Sequence, residues 1–319
     1  MTIAQPLDRL VVVGTGFMGA SIAAAAKAAG LAREVIGVDP KEAVNAKAMG
    51  FVDRVVGSVA EAFNASVTAE GSSASSAGSA SAASSFASGS STTSAKHAVL
   101  LASPVKTYAA IFAELESRAD KSSIAWVTDI GSTKNGVIAA AKQLTTLAPK
   151  FVASHPMAGS EKQGARDANP NLVQGARVLI SRMQASTDDT VDQVESFWLA
   201  LGAQPSPLPI DDHDALLAAI SHLPHVLAYS LAGALAQTSL AGAAQALHGG
   251  GLRDTTRIAA SSPELWADIF LDNQEELLAC WSQWSLQLQE MQQALARGDR
   301  ELLIELLSKA SQWRKGFQS

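Results

Sequence analysis

Cysteine is nearly absent: Cys280 is the single thiol in 319 residues, so no intrachain disulfide can form and a reducing compartment such as the cytoplasm fits. Positive charge is in deficit. A formal net charge of −6 disfavours non-specific nucleic-acid binding, which needs a basic surface. No run of about 18 uncharged apolar residues stands out, so no transmembrane helix is expected. The opening "MTIAQPLDRLVVVG" is not read as a signal peptide, because Asp8 and Arg9 interrupt it and its apolar run belongs to a strand. The stretch "GSSASSAGSASAASSFASGSSTTSA", Gly71 to Ala95, lacks charge and nearly all large apolar side chains. It cannot bury enough surface to offset its ordering entropy, and we expect a disordered insertion over about 64–96 with no part in chemistry. The chain as a whole is 47% hydrophobic, which suits a globular protein long enough for two domains.

The first half alternates strand and helix signals. "LVVV" (Leu10 to Val13) reads as a buried strand, Gly14-Thr15-Gly16-Phe17-Met18-Gly19 as the turn after it, and the alanine-rich segment to about Ala29 as a helix. "EVIGVD" is a second strand ending at Asp39. A glycine turn between strand and helix brings backbone N–H groups up to a pyrophosphate, at the favourable end of the helix field. An acid about 20 residues further on accepts hydrogen bonds from the adenosine ribose and repels a 2′-phosphate, which points to NAD rather than NADP, with Lys41 working against that preference. Further strands are expected at "AVLLASP", "IAWVTDIGS", "FVASHP" and "ARVLIS". The expected class is therefore α/β: a Rossmann-type, doubly wound, mostly parallel sheet over residues 1–209. Ligands bind off the carboxyl ends of such strands, where Ser103, Pro104, Asp129, Ser132, Ser154 and His155 stand.

From Asp211 onward the pattern turns helical, giving an all-α domain over 210–319. A first long helix is expected to be broken or kinked near Pro224; a second runs from "SPELWADIF" to a C-cap at Gly298. Much of it is apolar on more than one face, which suggests burial against a partner chain. His97 is expected at the surface, and His213 solvated or capping. His155 is placed to take a proton as hydride leaves an alcohol, with Ser132 as a hydrogen-bond partner of His155 or of the nicotinamide, or as a helix N-cap. Glu161 is read as gating a pocket or holding a cation. In "GGGLRDTTRIA", Arg253 and Arg257 share one helix face and suit an acidic substrate, while Asp254 is positioned to hold one of them. His222 and His225 flank Pro224, but no cysteine or carboxylate completes a metal set, so no metal is expected.

Five stretches, "VVVGTGFMGASIA", "VTDIGSTK", "SHPMAGSEKQGA", "SHLPHVLA" and "GGGLRDTTRIAASSPELWADIFLDN", resemble the prephenate/arogenate dehydrogenase family in order and over nearly the whole chain. Leu252 departs mildly from the family's larger residue there. The resemblance implies oxidative decarboxylation of prephenate, or of arogenate, with NAD+ as hydride acceptor, in tyrosine biosynthesis. It implies His155 as the polarising base oriented by Ser132, and Arg257 on a substrate carboxylate supported by Asp254. It places Glu161 at the pocket mouth, His225 and Trp266 along the substrate pocket, and the two dense stretches around one substrate. It also implies a homodimer joined through the helical domain, with no chorismate mutase or ACT domain attached. Two other readings compete with this one. A 3-hydroxyacid dehydrogenase would need a lysine base, yet the helical half has no lysine before Lys309. A non-catalytic NAD-binding regulator would have no need of His155, Ser132 and Arg257 together.

Overall fold

The computed structural model describes residues 6–63, 96–118, 120–159 and 162–317; the insertion over Gly71 to Ala95 and Glu161 fall outside the described residues. Contacts divide the chain into two compact units, Met1–Ile210 and Asp211–Ser319. In chain order the first contains β1 (Leu7–Val13), α1 (Phe17–Ala28), β2 (Ala32–Val38), α2 (Ala43–Ala48), β3 (Arg54–Val56) and α3 (Val59–Ala62). It continues through β4 (His97–Leu101), α4 (Tyr108–Glu116), β5 (Ile124–Asp129), α5 (Asn135–Ala141), β6 (Phe151–Pro156), β7 (Arg177–Arg182), α6 (Asp188–Ala200) and β8 (Gln204–Pro207).

The described strands form one sheet in the order β3-β2-β1-β4-β5-β6-β7-β8. All adjacent pairs are parallel except β6 with β7. From β1 the chain builds outward through β2 and β3, then returns to β4 on the other side, so the order reverses between β1 and β4. The strands alternate in side-chain direction with period two. Leu10 and Val12 of β1 enter a core with α1 and α6 residues such as Ile22 and Trp198. Val11 and Val13 enter the opposite core with Phe112 of α4 and Val137 of α5. Both faces are covered, which is why β4 is buried along its whole length and reads as an unbroken apolar run. Each such Val or Leu contributes about 1.5–3 kcal/mol by leaving water.

Two short strands escaped the sequence reading, and both are edges. β3 spans only Arg54–Val56. β8 carries Pro205 and Pro207, which a strand tolerates at a sheet edge because a proline nitrogen donates nothing to a ladder. His97 is not a surface residue: it is 7% exposed, packed edge-on against Phe63 at 5.5 Å between ring centroids.

The second unit contains α7 (Ile210–Leu217), α8 (Leu223–Ala236), α9 (Ala241–Leu247), α10 (Gly250–Thr256), α11 (Pro263–Asp272), α12 (Gln274–Arg297) and α13 (Arg300–Lys315). Pro224 does not break its helix. The chain runs helically from α7 into α8 through a π-helical turn, Ala218–His222, which absorbs the hydrogen bond the proline cannot make. The second long helix is interrupted at Asn273, whose φ −112°, ψ 36° ends α11 before α12 begins. Asn273 is fully buried, and its amide donates to the Asp214 carbonyl at 2.8 Å and meets His222 Nδ1 at 3.0 Å. His213 is likewise buried, paired through Nδ1 with Asp214 at 2.8 Å, so this histidine is a core group and not a solvated one. Gly298 closes α12 in the left-handed conformation, φ 64°.

The helix Ile210–Ala236 corrects the expectation about apolar runs, since by length and composition it could cross a membrane. Its first turns carry Asp211 and Asp212 and bury the His213–Asp214 pair. Further on, Val226 and Ala228 are buried while Leu231 is exposed. Leu247, Leu265, Leu271, Leu286, Leu295 and Trp313 add to the exposed apolar surface of this unit.

Candidate active site

The glycine turn after β1 lies at the switch point. Gly14 has φ +91°, and a Cβ there would stand 2.5 Å from the Ser103 backbone nitrogen beyond β4, so only glycine fits. A Cβ on Gly19 would come 1.9 Å from the Gly14 carbonyl oxygen, so glycine is what lets α1 lie directly on the turn. Gly16 differs. Its φ of −66° suits any residue and an added Cβ would meet nothing within 4 Å, so nothing in the protein itself demands glycine there. The open space lies before the first turn of α1, where the N–H groups of Phe17, Met18 and Gly19 precede the first intrahelical bond, Ala20 N–H to Gly16 O at 2.9 Å. Phe17 turns its ring inward and is buried, while Met18 is half-buried, so these two residues offer backbone more than side chain to a ligand.

Asp39 follows directly on β2 and is half-buried. Its Oδ2 accepts from Thr15 N–H at 2.8 Å, and its Oδ1 from Lys41 N–H at 2.8 Å and Glu42 N–H at 2.9 Å. The carboxylate therefore braces the glycine turn, a contact the spacing alone did not reveal. Ser103 shares a hydrogen bond with Thr107 at 2.8 Å, and Pro104 leads into the 3-10 turn Val105–Thr107.

β6 runs parallel to β5, so His155 lies at the same carboxyl edge as Gly14 and Ser103. It is 8% exposed and sits opposite Leu179 in the β6–β7 register. Period-two alternation turns it to the sheet face that carries Phe151 and Ala153, the side of α4 and α5. Ser132, half-buried, lies in the β5–α5 connection but does not cap α5; Lys134 occupies that position. Lys134 is itself completely buried. Its Nζ donates to Asp129 Oδ2 at 2.9 Å, Gly131 O at 2.7 Å and Ser154 O at 2.9 Å, which uses all three ammonium donors. Sequence reasoning placed Asp129 at the strand end but missed Lys134. "VTDIGSTK" shows an acid and a lysine, but nothing in it tells that this lysine is fully buried.

In the helical unit, His225 stacks on Trp266, with centroids 3.4 Å apart and rings inclined by 20°. Its Nδ1 meets the Ser221 carbonyl at 3.0 Å, so in the neutral ring Nδ1 carries the proton and Nε2 is the acceptor. Burial lowers the pKa of this imidazole and the Arg257 charge lowers it further, against an opposing pull from the Ser221 carbonyl. Burial also holds His222 down at about 4.

Arg257 opens a 3-10 turn just after α10 instead of lying on it, yet it and Arg253 both line a cavity of about 400 Å3. Ala232, Leu235 and Leu252 supply apolar wall. Apolar walls with two guanidinium groups suit a small, mostly hydrophobic acid. Asp254 pairs with Arg253 at 3.0 Å, not with Arg257, because the acid and its neighbour extend together into solvent, 71% and 66% exposed. Such a pair contributes little to stability. Among the described residues, Arg257 makes no ion pair, and no cluster of three or more His, Cys, Asp or Glu could hold a metal.

A mostly parallel sheet with its glycine turn, helix N-terminus and strand-end acid at the switch point, and a histidine at the same edge, defines the class of nucleotide-binding α/β oxidoreductases. Residues 61–206 match the family described as "Prephenate dehydrogenase, nucleotide-binding domain", and residues 209–309 match "Prephenate dehydrogenase, dimerization domain". The chain is 29% identical over 316 residues to the prephenate dehydrogenase of Bacillus subtilis, covering 98% of this chain and 77% of that one. It is 30% identical over 225 residues to the cyclohexadienyl dehydrogenase of Zymomonas mobilis, 69% of this chain and 75% of that one. Among solved structures, the prephenate dehydrogenase of Aquifex aeolicus in complex with hydroxyphenyl propionate and NAD+ superposes with a TM-score of 0.78 at 27% identity, covering 98% and 99% of the two chains. The chain belongs to the prephenate dehydrogenase family, oxidoreductases of tyrosine biosynthesis.

Proposed function

We propose that this protein oxidatively decarboxylates prephenate to 4-hydroxyphenylpyruvate with NAD+, as a cytoplasmic homodimer joined through its helical unit. The observation that carries the cofactor is the space at Gly16: the glycine serves no internal contact, and a Cβ would fill the cradle in which a pyrophosphate would rest on the α1 N-terminus. Asp39, at the end of β2, supports NAD+ over its phosphorylated form. When bound, the nicotinamide accepts the hydride from the ring carbon that carries the alcohol.

His155 takes the alcohol proton in this reading, at the carboxyl edge of β6, oriented by Ser132 from the loop that follows the adjacent strand β5 at that edge. Loss of the ring carboxylate as CO2 leaves its electron pair in the ring, which becomes aromatic, and the proton returns to the phenolate oxygen. Arg257 holds a substrate carboxylate, and Arg253, with Asp254 beside it, adds positive charge at the same cavity. Trp266 and His225 form a flat wall for the ring, and the His225 Nε2 acceptor suits a hydroxyl. Glu161 is assigned to the pocket mouth. The description of residues 209–309 as a dimerization domain and the exposed leucines of the helical unit support the homodimer.

The likeness to a cyclohexadienyl dehydrogenase keeps arogenate in view as the second substrate. Initial rates of NADH formation with prephenate and with arogenate, each with NAD+ and NADP+, test the proposal. Prephenate with NAD+ is expected to have the highest kcat/KM. Turnover confined to arogenate would overturn the substrate, and equal use of NADP+ would overturn the cofactor assignment.

A further inference from the structure

The buried Asp129–Lys134 pair touches a specific set of backbone atoms. Asp129 Oδ2 accepts from Gly131 N–H at 2.8 Å, and Lys134 Nζ donates to Gly131 O at 2.7 Å. Asp129 Oδ1 accepts from Ser154 N–H at 3.0 Å, and Lys134 Nζ donates to Ser154 O at 2.9 Å. Gly131 immediately precedes Ser132, and Ser154 immediately precedes His155. One ion pair therefore holds the N–H and the C=O of both residues that lead into the two proposed catalytic positions, which come from different strands.

Both charges are fully buried, 0% exposed, so no water competes for these bonds. The Ser154 side chain is held as well: its hydroxyl lies 2.7 Å from Thr128 Oγ1 and accepts from Trp198 Nε1 at 3.2 Å. β5 and β6 are joined by ladder pairing only at Val127–Phe151 and Thr128–Val152. Beyond that point the strands have no ladder between them, and the ion pair joins their ends.

We infer that Asp129 and Lys134 are positioning residues that set His155 and Ser132 in register with each other, acting through the Gly131 and Ser154 peptides and touching neither substrate nor cofactor. The inference rests on the reading of His155 as the proton acceptor. A displacement of about 1 Å of a reacting group is worth on the order of 100-fold in rate, so the loss of the clamp should appear in kcat.

The test is a double-substitution cycle on the full-length protein, with NAD+ binding titrated by fluorescence to count folded sites. Lys134→Met keeps the side-chain volume and removes all three donors. It is expected to lower kcat roughly 10- to 100-fold, with KM for prephenate and Kd for NAD+ within about threefold of the parent. In a His155→Asn background the same change should cost several-fold less, because residues acting as one unit are not additive. An equal loss in both backgrounds, or none in the parent, overturns the inference. If Lys134→Met loses NAD+-binding stoichiometry, Asp129→Asn, which keeps the acceptor for Ser154 N–H, goes through the same cycle and is judged by the same two outcomes. Full turnover in His155→Asn alone would remove the reading of His155, and the inference with it. Loss there beside normal turnover in Lys134→Met would remove the inference only.

Discussion

Alanine at Gly16 and at Gly19 should fail in opposite ways. At Gly19 the new Cβ would lie 1.9 Å from the Gly14 carbonyl oxygen, where ordinary contact begins at 3.4 Å, so α1 must retreat from β1 by about 1.5 Å. The contact is backbone and cannot rotate away. Overpacking of this kind costs about 1–3 kcal/mol when the neighbours can give, and here a whole helix must move. About 3 kcal/mol in a unit of this size lowers Tm by roughly 6–12 °C. At Gly16 the Cβ meets nothing and φ is −66°, so the fold loses only a slightly better N-cap. Alanine caps less well than glycine by up to about 1 kcal/mol, and the reduced freedom of the unfolded chain returns about 0.4–1 kcal/mol. Tm should therefore stay within a few degrees of the parent. NAD+ affinity, however, should fall about 10- to 100-fold, or roughly 1.4–2.8 kcal/mol, because the methyl group occupies the pyrophosphate's place. Differential scanning fluorimetry and calorimetric titration with NAD+ measure both quantities on the same preparations. Unchanged affinity in Gly16→Ala would refute the placement of the pyrophosphate, whatever the thermal result.

Arg257→Ala should raise KM for prephenate about 10- to 100-fold with a smaller change in kcat, since an exposed guanidinium gives about 1.4–2.8 kcal/mol here; steady-state kinetics with an unchanged KM would move the carboxylate contact to Arg253. Asp39→Ser should narrow the preference for NAD+ over NADP+ by at least about tenfold, or 1.4 kcal/mol. Because Asp39 also braces Thr15 N–H, the same substitution should raise KM for NAD+, and a gain for NADP+ without that loss would show the brace to be dispensable. Burial holds His222 at about 4 in the folded protein against an ordinary 6.5. As pH falls from about 6.5 towards 4 the unfolded chain therefore takes up a proton that the folded one refuses, and stability present in full above this window is lost across it, on the order of 3 kcal/mol. Urea unfolding at pH 7.5, 5.5 and 4.5 should show this decline and His222→Gln should flatten it, whereas identical slopes in the two proteins would discount His222.

Local chemistry made the nucleotide-binding half legible. The run "LVVV", the glycine turn, the alanine-rich helix and Asp39 announce themselves because each depends on neighbours close in sequence: a strand period, a turn that excludes Cβ, a helix N-terminus. The helical half was legible as a class for the same reason, and Gly298 as a C-cap followed from its residue type. Interruptions and burial were not legible. Asn273 divides what reads as one helix because its amide is engaged by Asp214 and His222, residues about fifty to sixty positions away whose proximity is created by packing. His97 reads as a surface group and His213 as solvated or capping, and both are core groups for the same reason. Asp254 reads as holding one of the two arginines, and the resemblance implies Arg257; it pairs instead with Arg253, its neighbour on the exposed α10, a choice made by side-chain direction. The buried Lys134 shows the division most sharply. Its cost of desolvation is met by the nearby Asp129 carboxylate and Gly131 carbonyl and by the Ser154 carbonyl, which only the pairing of β5 with β6 brings within 3 Å. The sequence alone determined which kinds of group the chain carries and the local turns that present them. Tertiary structure decided which of those groups are dry, because burial depends on long-range packing that no local window of residues contains.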